Sequence, residues 1–448
     1  MRDPRSHVSA IVHRYTAALA YPDYVTLWTA SLSSGAAAWA LIVARGWLVY
    51  DLTGGESLWV GIVTFAAMIP RVLIPPFTGY LADRFNRRNI MAVMFAINLV
   101  HNIALSVFVV FGVIEIWHLV ILSFVNGSAR AAQMPAGQAL IPNLLPRNLL
   151  LNGIALNQAT MNGSRLIGPL AIAPLLLWAG VQGAFILCSV FYAFSLVQAL
   201  RIKTYSTGSI DKRQSFLNNL LEGLKYVYRQ PILRAVVIMA LFHCGLTMSF
   251  ESLLPVLSDT RLNAQDAGFS LLMMAVGAGA MVSIVLLAGV TSESLKGKLF
   301  LNLGVLSGLA PAVLAMSVNM PTALIAAGIM GATQAGFMTL THTMIQSVTD
   351  DGVRGRVGAV YSVHIGGMMA SANLINGWFA DIISAMLASA NLFSGTAFGD
   401  MLSSSGGASF LLMVGGVGFI LVMLASWQGA TIRRIYRGEM FYSHAAAD

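Results

Sequence analysis

Charge is what this sequence has least of. Asp, Glu, Lys and Arg make up 10% of its 448 residues, against 57% hydrophobic. A soluble domain carries about a quarter of its residues charged, so a water-soluble fold of this size is excluded: so few charges could not cover its surface. Cysteine is nearly absent too. The two present, Cys188 and Cys244, lie in apolar runs and read as small packing residues. They support neither a disulfide framework nor a metal site. No Gly-x-x-x-x-Gly-Lys-Ser/Thr stretch occurs, so the chain by itself lacks the means to use ATP. No hydrolase triad or cluster of metal ligands stands out, and without such a site an enzymatic role has no support.

What is present is length without charge. Apolar stretches of about 20 residues cross the hydrocarbon core as helices. Twelve are expected, at 27–50, 58–81, 89–112, 117–140, 151–178, 180–200, 232–258, 266–290, 299–317, 321–348, 356–387 and 407–430. The positions of Lys and Arg test that count, because alternate loops should hold the positive charge. Twenty-one of the 26 basic residues fall in one set of loops and ends, from Arg2, Arg5 and Arg14 to Arg433, Arg434 and Arg437. The opposite set holds Arg261, and four lie inside spans. Both termini are therefore expected in the cytoplasm, in a multi-pass protein of the cytoplasmic (inner) membrane. The net charge of +8 is mostly this bias and calls for no nucleic-acid partner. The first twenty-odd residues do not read as a signal peptide, since the span that follows is too long for one.

The polar stretch 201–231 divides the chain into two sets of six spans, 1–200 and 232–448. Within it Phe216, Leu220, Leu224 and Val227 recur at helical spacing, which predicts an amphipathic linker helix on the inner membrane surface. Residues 388–406, rich in Ser, Gly and Ala, are expected to be a mobile outer connection.

Residues 79–88 read Gly-Tyr-Leu-Ala-Asp-Arg-Phe-Asn-Arg-Arg. This segment resembles the loop between helices 2 and 3 of the major facilitator superfamily, Gly-x-Leu-Ala-Asp-Arg-x-Gly-Arg-Arg/Lys. Gly79, Leu81, Asp83, Arg84, Arg87 and Arg88 match. Asn86 replaces a Gly, and Asn tolerates a left-handed backbone well. A faint second copy follows the eighth span: Gly289 and Glu293 keep the spacing of Gly79 and Asp83, ahead of Lys296-Gly297-Lys298. Three further segments are similar to the enterobactin-exporter and macrolide-efflux-like branch. They are Trp47 to Thr53, Leu221 to Val227 and Arg354-Gly355-Arg356-Val357. In the fifth span Ser164 to Ala173 keeps the Gly168-Pro169 pair of the exporter pattern but ends in Ile-Ala rather than Gly-Gly. Small residues there permit close helix approach, and Pro loosens the helix.

The resemblance implies an all-α membrane protein of twelve transmembrane helices in two pseudo-symmetric six-helix bundles. It also gives meaning to the buried charges. Arg45, Arg71, Arg130, Arg165 and Glu251 sit well inside spans, each at about 2.5–3.5 kcal/mol on insertion scales. They fall on helices 1, 2, 4, 5 and 7, which line the central cavity in the implied fold. A positive cavity favours anionic groups, and guanidinium suits carboxylates and aromatic rings. Arg130-Ala131-Ala132-Gln133 resembles the Arg-x-x-Gln of drug antiporters, where the Arg is linked to proton coupling. Each charge also has a structural reading. Arg71 follows Pro70 and could bond carbonyls freed there, and Arg45 could snorkel to the outer face. Glu251, read as the single mid-chain carboxylate within a span, is the candidate proton carrier, with partnership to an outer-side Arg as the alternative. His243 is its rival. His101, His342 and His364 are expected to bond neighbouring helices or substrate. Asp83 is expected to gate by meeting the N-terminus of helix 11 near Arg356. Arg84 and Arg87 would support it or bind anionic lipid.

The expectation is a monomeric secondary transporter among membrane lipids, with no cofactor and a proton gradient as its energy source. It would export small amphipathic, anionic compounds such as siderophores or drugs by alternating access. The rivals are a lipid or lysolipid flippase, an uptake symporter, and, more remotely, a membrane sensor that transports nothing.

Overall fold

A computed structural model describes residues 17–75, 85–206, 216–290, 292–350, 353–390 and 397–439. No strand occurs among them. Each of the twelve expected segments is mainly helical where it is described, the seventh with an internal break, and eight helices among the described residues are long and apolar enough to cross a membrane. The protein is an all-α membrane protein. Backbone polar groups cannot be left bare in hydrocarbon, so long apolar runs resolve into helices.

The first span is Pro22–Leu52 and the second Ser57–Met68, continued by the short turn Pro70–Leu73. Arg87–Val110 and Ile116–Leu144 are the third and fourth. The fifth and sixth run on as Leu150–Arg201, broken at Gly180 with φ 59° and ψ −164°. That backbone is open almost only to glycine, so one residue makes two spans of one apolar run. A similar break at Gly406 (φ 54°, ψ −148°) falls in Ala397–Ser426, the helix containing the twelfth span. The connection expected at 388–406 is thus shorter than its composition suggests: 397–405 is already helical. Gln265–Ala288, Glu293–Met316, Met320–Val348 and Arg354–Ala390 are the eighth to eleventh spans.

The seventh span is discontinuous. Pro231–His243 is α-helical and Cys244–Met248 is a π turn. Ser249–Leu253 is not helical, and Leu254–Val256 leads into a second π turn, Leu257–Arg261.

Contacts group the residues into two compact units. One holds Met1–Ala44 and Leu73–Lys212; the other holds Arg45–Val72 and Arg213–Asp448. The second span thus packs with the second unit. In that unit Phe300, Phe337, Met344 and Phe419 form part of a buried core. The linker helix Phe216–Arg229 docks there. Val227 is buried, and Leu220 and Leu224 pack on the core. Arg356 Nη1 donates to Glu222 Oε2 at 2.6 Å, and Tyr226 Oη donates to Asp350 Oδ2 at 2.8 Å. Burial and the Asp350 carboxylate push the Tyr226 phenol above its usual range. A Cβ at Gly223 would lie 2.8 Å from the Arg356 carbonyl oxygen. Leu220, Leu224 and Val227 of the expected stripe thus pack on protein: periodicity reveals an apolar side but not what covers it.

Candidate functional site

Trp39, near the middle of the first span, organises the first unit. The Arg165 guanidinium carbon lies 4.6 Å from the centroid of its ring, and that of Arg130 lies 5.9 Å from it. Gly168 makes the arrangement possible. A Cβ there would strike the Ala36 carbonyl oxygen and come within 2.9 Å of the Trp39 Cβ. With no side chain at 168, the first and fifth spans touch, and Arg165, almost one turn earlier, reaches the indole. Pro169 follows and lacks the N–H of an ordinary helix residue.

Gln133 stands three residues after Arg130 and so shares its face of the fourth span. Its Nε2 donates to Ser34 Oγ on the first span at 3.2 Å. Trp39, Arg130, Gln133, Ser34, Asn157 and Tyr192 are among the residues lining a cleft with about 670 Å³ of empty space, open solvent included. Arg130 lines this space together with the Trp39 ring, and Arg165 sits against that ring without being among the lining residues. Such a site offers a cation for an anionic group, an indole for an apolar body and an amide for a polar substituent. The structure therefore brings Arg130, Gln133 and Arg165 together.

Arg45, Arg71, Glu251 and His243 belong to the second unit. Arg45 is 5% exposed, so it does not reach outward as snorkelling requires. Arg71 lies in the Pro70–Leu73 turn, where its Cβ would be 3.4 Å from a Cβ at Gly366. Glu251, also 5% exposed, falls in the break of the seventh span. Side chains patch the broken backbone. Gln334 Nε2 donates to the Thr247 carbonyl at 2.7 Å and Asn376 Nδ2 to that of Ser249 at 2.6 Å. The Ser252 N–H donates to Asn373 Oδ1 at 3.2 Å. Irregular backbone at membrane depth survives when buried partners satisfy it, and polar side chains of the tenth and eleventh spans do so here. His243 is fully buried between Phe337 and Phe419, with ring centroids 4.4 and 5.0 Å away, and neither ring nitrogen has a hydrogen-bond partner. His364 receives the Tyr228 hydroxyl of the linker helix at 3.2 Å, and His342 packs edge-on against Tyr361.

Of the loop motif, Gly79, Asp83 and Arg84 lie outside the described residues. Asn86 is extended rather than left-handed (φ −61°, ψ 119°), and its side chain accepts from the Arg88 N–H at 3.1 Å. It serves as the N-cap of the third span. In the second copy Ser292 caps the ninth span likewise, accepting from Leu295. Arg87 Nη1 donates to the Ala139 carbonyl at 2.7 Å, and its backbone N–H to that of Ser206 at 2.9 Å. It fastens the third span to the end of the fourth and to the segment after the sixth.

Sequence reasoning missed Trp39 and Asp381. An aromatic in an apolar run carries no periodic signal. Asp381 did carry one: it is a second carboxylate inside an expected span, and intramembrane charge marks function by default.

Apolar helices that enclose a cationic cleft, with one span broken around a buried carboxylate, define a membrane transporter rather than an enzyme. Solved structures share the fold. The nucleoside transporter NupG matches with a TM-score of 0.70 at 9% identity, over 93% of this chain and 99% of NupG. A bacterial homolog of the human lysosomal transporter Spinster matches at 0.68 and 13%, over 94% and 97%. The chain belongs to the transmembrane secretion effector family of the major facilitator superfamily, whose model matches residues 15–431. Relatives include the multidrug efflux pump Tap of Mycolicibacterium fortuitum, 25% identical over 74% of this chain and 82% of Tap. An uncharacterized MFS-type transporter, YvqJ of Bacillus subtilis strain 168, is 24% identical over 70% and 75%.

Proposed function

We propose that this transporter exports small amphipathic anions, such as catecholate siderophores or anionic drugs, in exchange for protons. The observation that carries the reading is the convergence of Arg165 and Arg130 on Trp39 beside the cleft. A guanidinium lining an apolar cleft favours an anionic group there. The indole supplies a surface for a ring, and Gln133 supplies a hydrogen bond. That Tap is a multidrug efflux pump supports export over uptake. Glu251 carries the exchanged proton, because it is a buried carboxylate held by a broken span. His243 is the weaker carrier, since its aromatic cage offers neither ring nitrogen a partner to exchange with. The protein works as a monomer in the inner membrane with both termini cytoplasmic, as its loop charges direct. Its halves, 1–200 and 232–448, joined by 201–231, alternate access to the cleft.

The test is flux into everted vesicles under an imposed proton gradient, offering an anionic catecholate, a cationic dye, a neutral analogue and lysolipid in parallel. The expected result is gradient-dependent accumulation of the anion, lost in Glu251→Gln. Lysolipid movement indifferent to gradient and substitution would establish a flippase instead.

A further inference from the structure

A short helix, Ala430–Arg437, follows the twelfth span after only three residues, so it stays at the membrane surface. Its two sides differ. Ile432 and Ile435 are buried and join the core of the second unit with Phe300, Leu301 and Met423. Arg433, Arg434 and Arg437 are exposed and fall on the opposite side by helical spacing. The helix is fixed in place. A Cβ at Gly297 would strike the Ile435 carbonyl oxygen, and one at Gly438 would lie 2.6 Å from the Ser294 nitrogen. Gly438 closes the helix in the left-handed conformation (φ 75°), donating to the Arg434 and Ile435 carbonyls, a role that suits glycine. These contacts hold the helix against the first turns of the ninth span. Lys298 of that span has its Nζ 5.9 Å from the centroid of the Tyr436 ring. Trp427 packs edge-on against the same ring, with centroids 4.9 Å apart. Trp427 and Leu295, the latter one turn before Lys298, are each 44% exposed.

Few carboxylates answer these cations. Glu293 Oε1 is taken by Lys296 Nζ at 2.8 Å, and Glu439 Oε1 lies 3.8 Å from Arg437 Nη1. Arg433 Nη2 donates to the Gln428 carbonyl at 3.3 Å, a neutral partner that leaves its charge in place. Arg434 and Lys298 have no acidic partner among the described residues. Topology alone asks for basic residues at this end of the spans but for no fixed arrangement of them. Here a packed helix holds them beside exposed apolar side chains, which suits a molecule with an anionic head and an apolar body. We propose that Arg433, Arg434 and Arg437, with Lys298, form a site for the phosphate of an anionic phospholipid whose acyl chains lie along Trp427 and Leu295. Guanidinium groups grip phosphate oxygens in pairs, and tryptophan favours the level of the headgroups. The leaflet is the inner one, which rests on the reading that both termini are cytoplasmic. The three arginines lie past residue 431, where the family match ends. A lipid held there ties the end of the twelfth span to the start of the ninth.

The test titrates the purified full chain in neutral detergent with phosphatidylglycerol or phosphatidylcholine and reads bound lipid by native mass spectrometry. Detergent has no sides and the assay needs no flux, so the outcome is independent of both the orientation and the transport readings. A cation beside an anionic lipid contributes about fivefold. Phosphatidylglycerol should therefore bind about tenfold or more tightly than phosphatidylcholine. Arg434→Gln with Arg437→Gln should weaken phosphatidylglycerol about 25-fold and leave phosphatidylcholine unchanged. Arg434→Lys with Arg437→Lys keeps the charge and should cost no more than about threefold. Lys298→Gln should cost about fivefold, and it stands in if the double variant loses its melting transition. Arg201→Gln with Lys203→Gln, at exposed basic positions elsewhere, should change nothing. Equal binding of the two lipids overturns the proposal, as does phosphatidylglycerol binding that ignores Lys298→Gln and the paired glutamine substitutions alike. An equal fall in the Arg201 and Lys203 variant would mean general charge rather than a site. Displacement of the lipid by equimolar glycerol 3-phosphate would mean a soluble-phosphate site. Either result also overturns it.

Discussion

Replacing Arg165 with alanine should discriminate between anionic and neutral cargo. A charge about 4 Å from a carboxylate is worth about 4 kcal/mol at an effective dielectric of about 20. Desolvation and ordering reduce a charged hydrogen bond to a net of about 1.5–3 kcal/mol. At about 1.4 kcal/mol per decade, an acid should lose about 10- to 150-fold in affinity. A matched methyl ester loses only contact with the guanidinium plane and the support it gives Trp39, of the order of 0.5–1 kcal/mol. Its affinity should fall about two- to fivefold. Arg165→Lys keeps the charge but loses the flat stack on the indole, 4.6 Å away in the native protein, and should fall between. Arg130→Ala should cost the acid at least as much, because Arg130 lines the cleft itself, and should cost the ester less, because its guanidinium lies 5.9 Å from the ring. Equilibrium binding of the acid and its ester to purified protein measures both losses. Equal losses for the two ligands would refute the anion site.

Three further predictions concern the frame that holds the site. Gly168→Val should cost more than the roughly 1–3 kcal/mol of ordinary overpacking, because its side chain would meet the Ala36 backbone rather than a movable group; it should lower the melting midpoint and abolish anion binding together. Asn86→Ala removes the cap of the third span and should cost about 1 kcal/mol, seen as a small drop in midpoint with binding unchanged. Gly223→Leu should undock the linker helix from Arg356, which protease cleavage within 216–229 would report. Glu222→Ala removes only a surface ion pair, worth about 0–1 kcal/mol, and should leave cleavage slow.

Much of the helical framework was legible because membrane spans are fixed by length and apolarity, and both are local. Even the divisions at Gly180 and near Gly406 fell where single glycines break continuous apolar runs. Arg130, Gln133 and Arg165 were legible as buried polar groups, yet nothing local joined them. Their meeting depends on Trp39 and on the missing side chain of Gly168, which are tertiary facts. The break in the seventh span was hidden for a related reason. Ser249 and Ser252 are unremarkable in sequence, and the asparagines that stabilise their backbone lie on the eleventh span, more than 120 positions away. The linker helix shows the same limit, since its apolar stripe was plain but its partner was not.

The central claim is the exchange of an anion for a proton. Purified protein in liposomes, with an internal pH dye and a labelled catecholate, measures both movements at once. The account predicts anion transport that follows the imposed proton gradient, coincides with proton movement in the opposite direction, and stops in Glu251→Gln. Anion flux of equal rate with and without the gradient, and unchanged by that substitution, would contradict it.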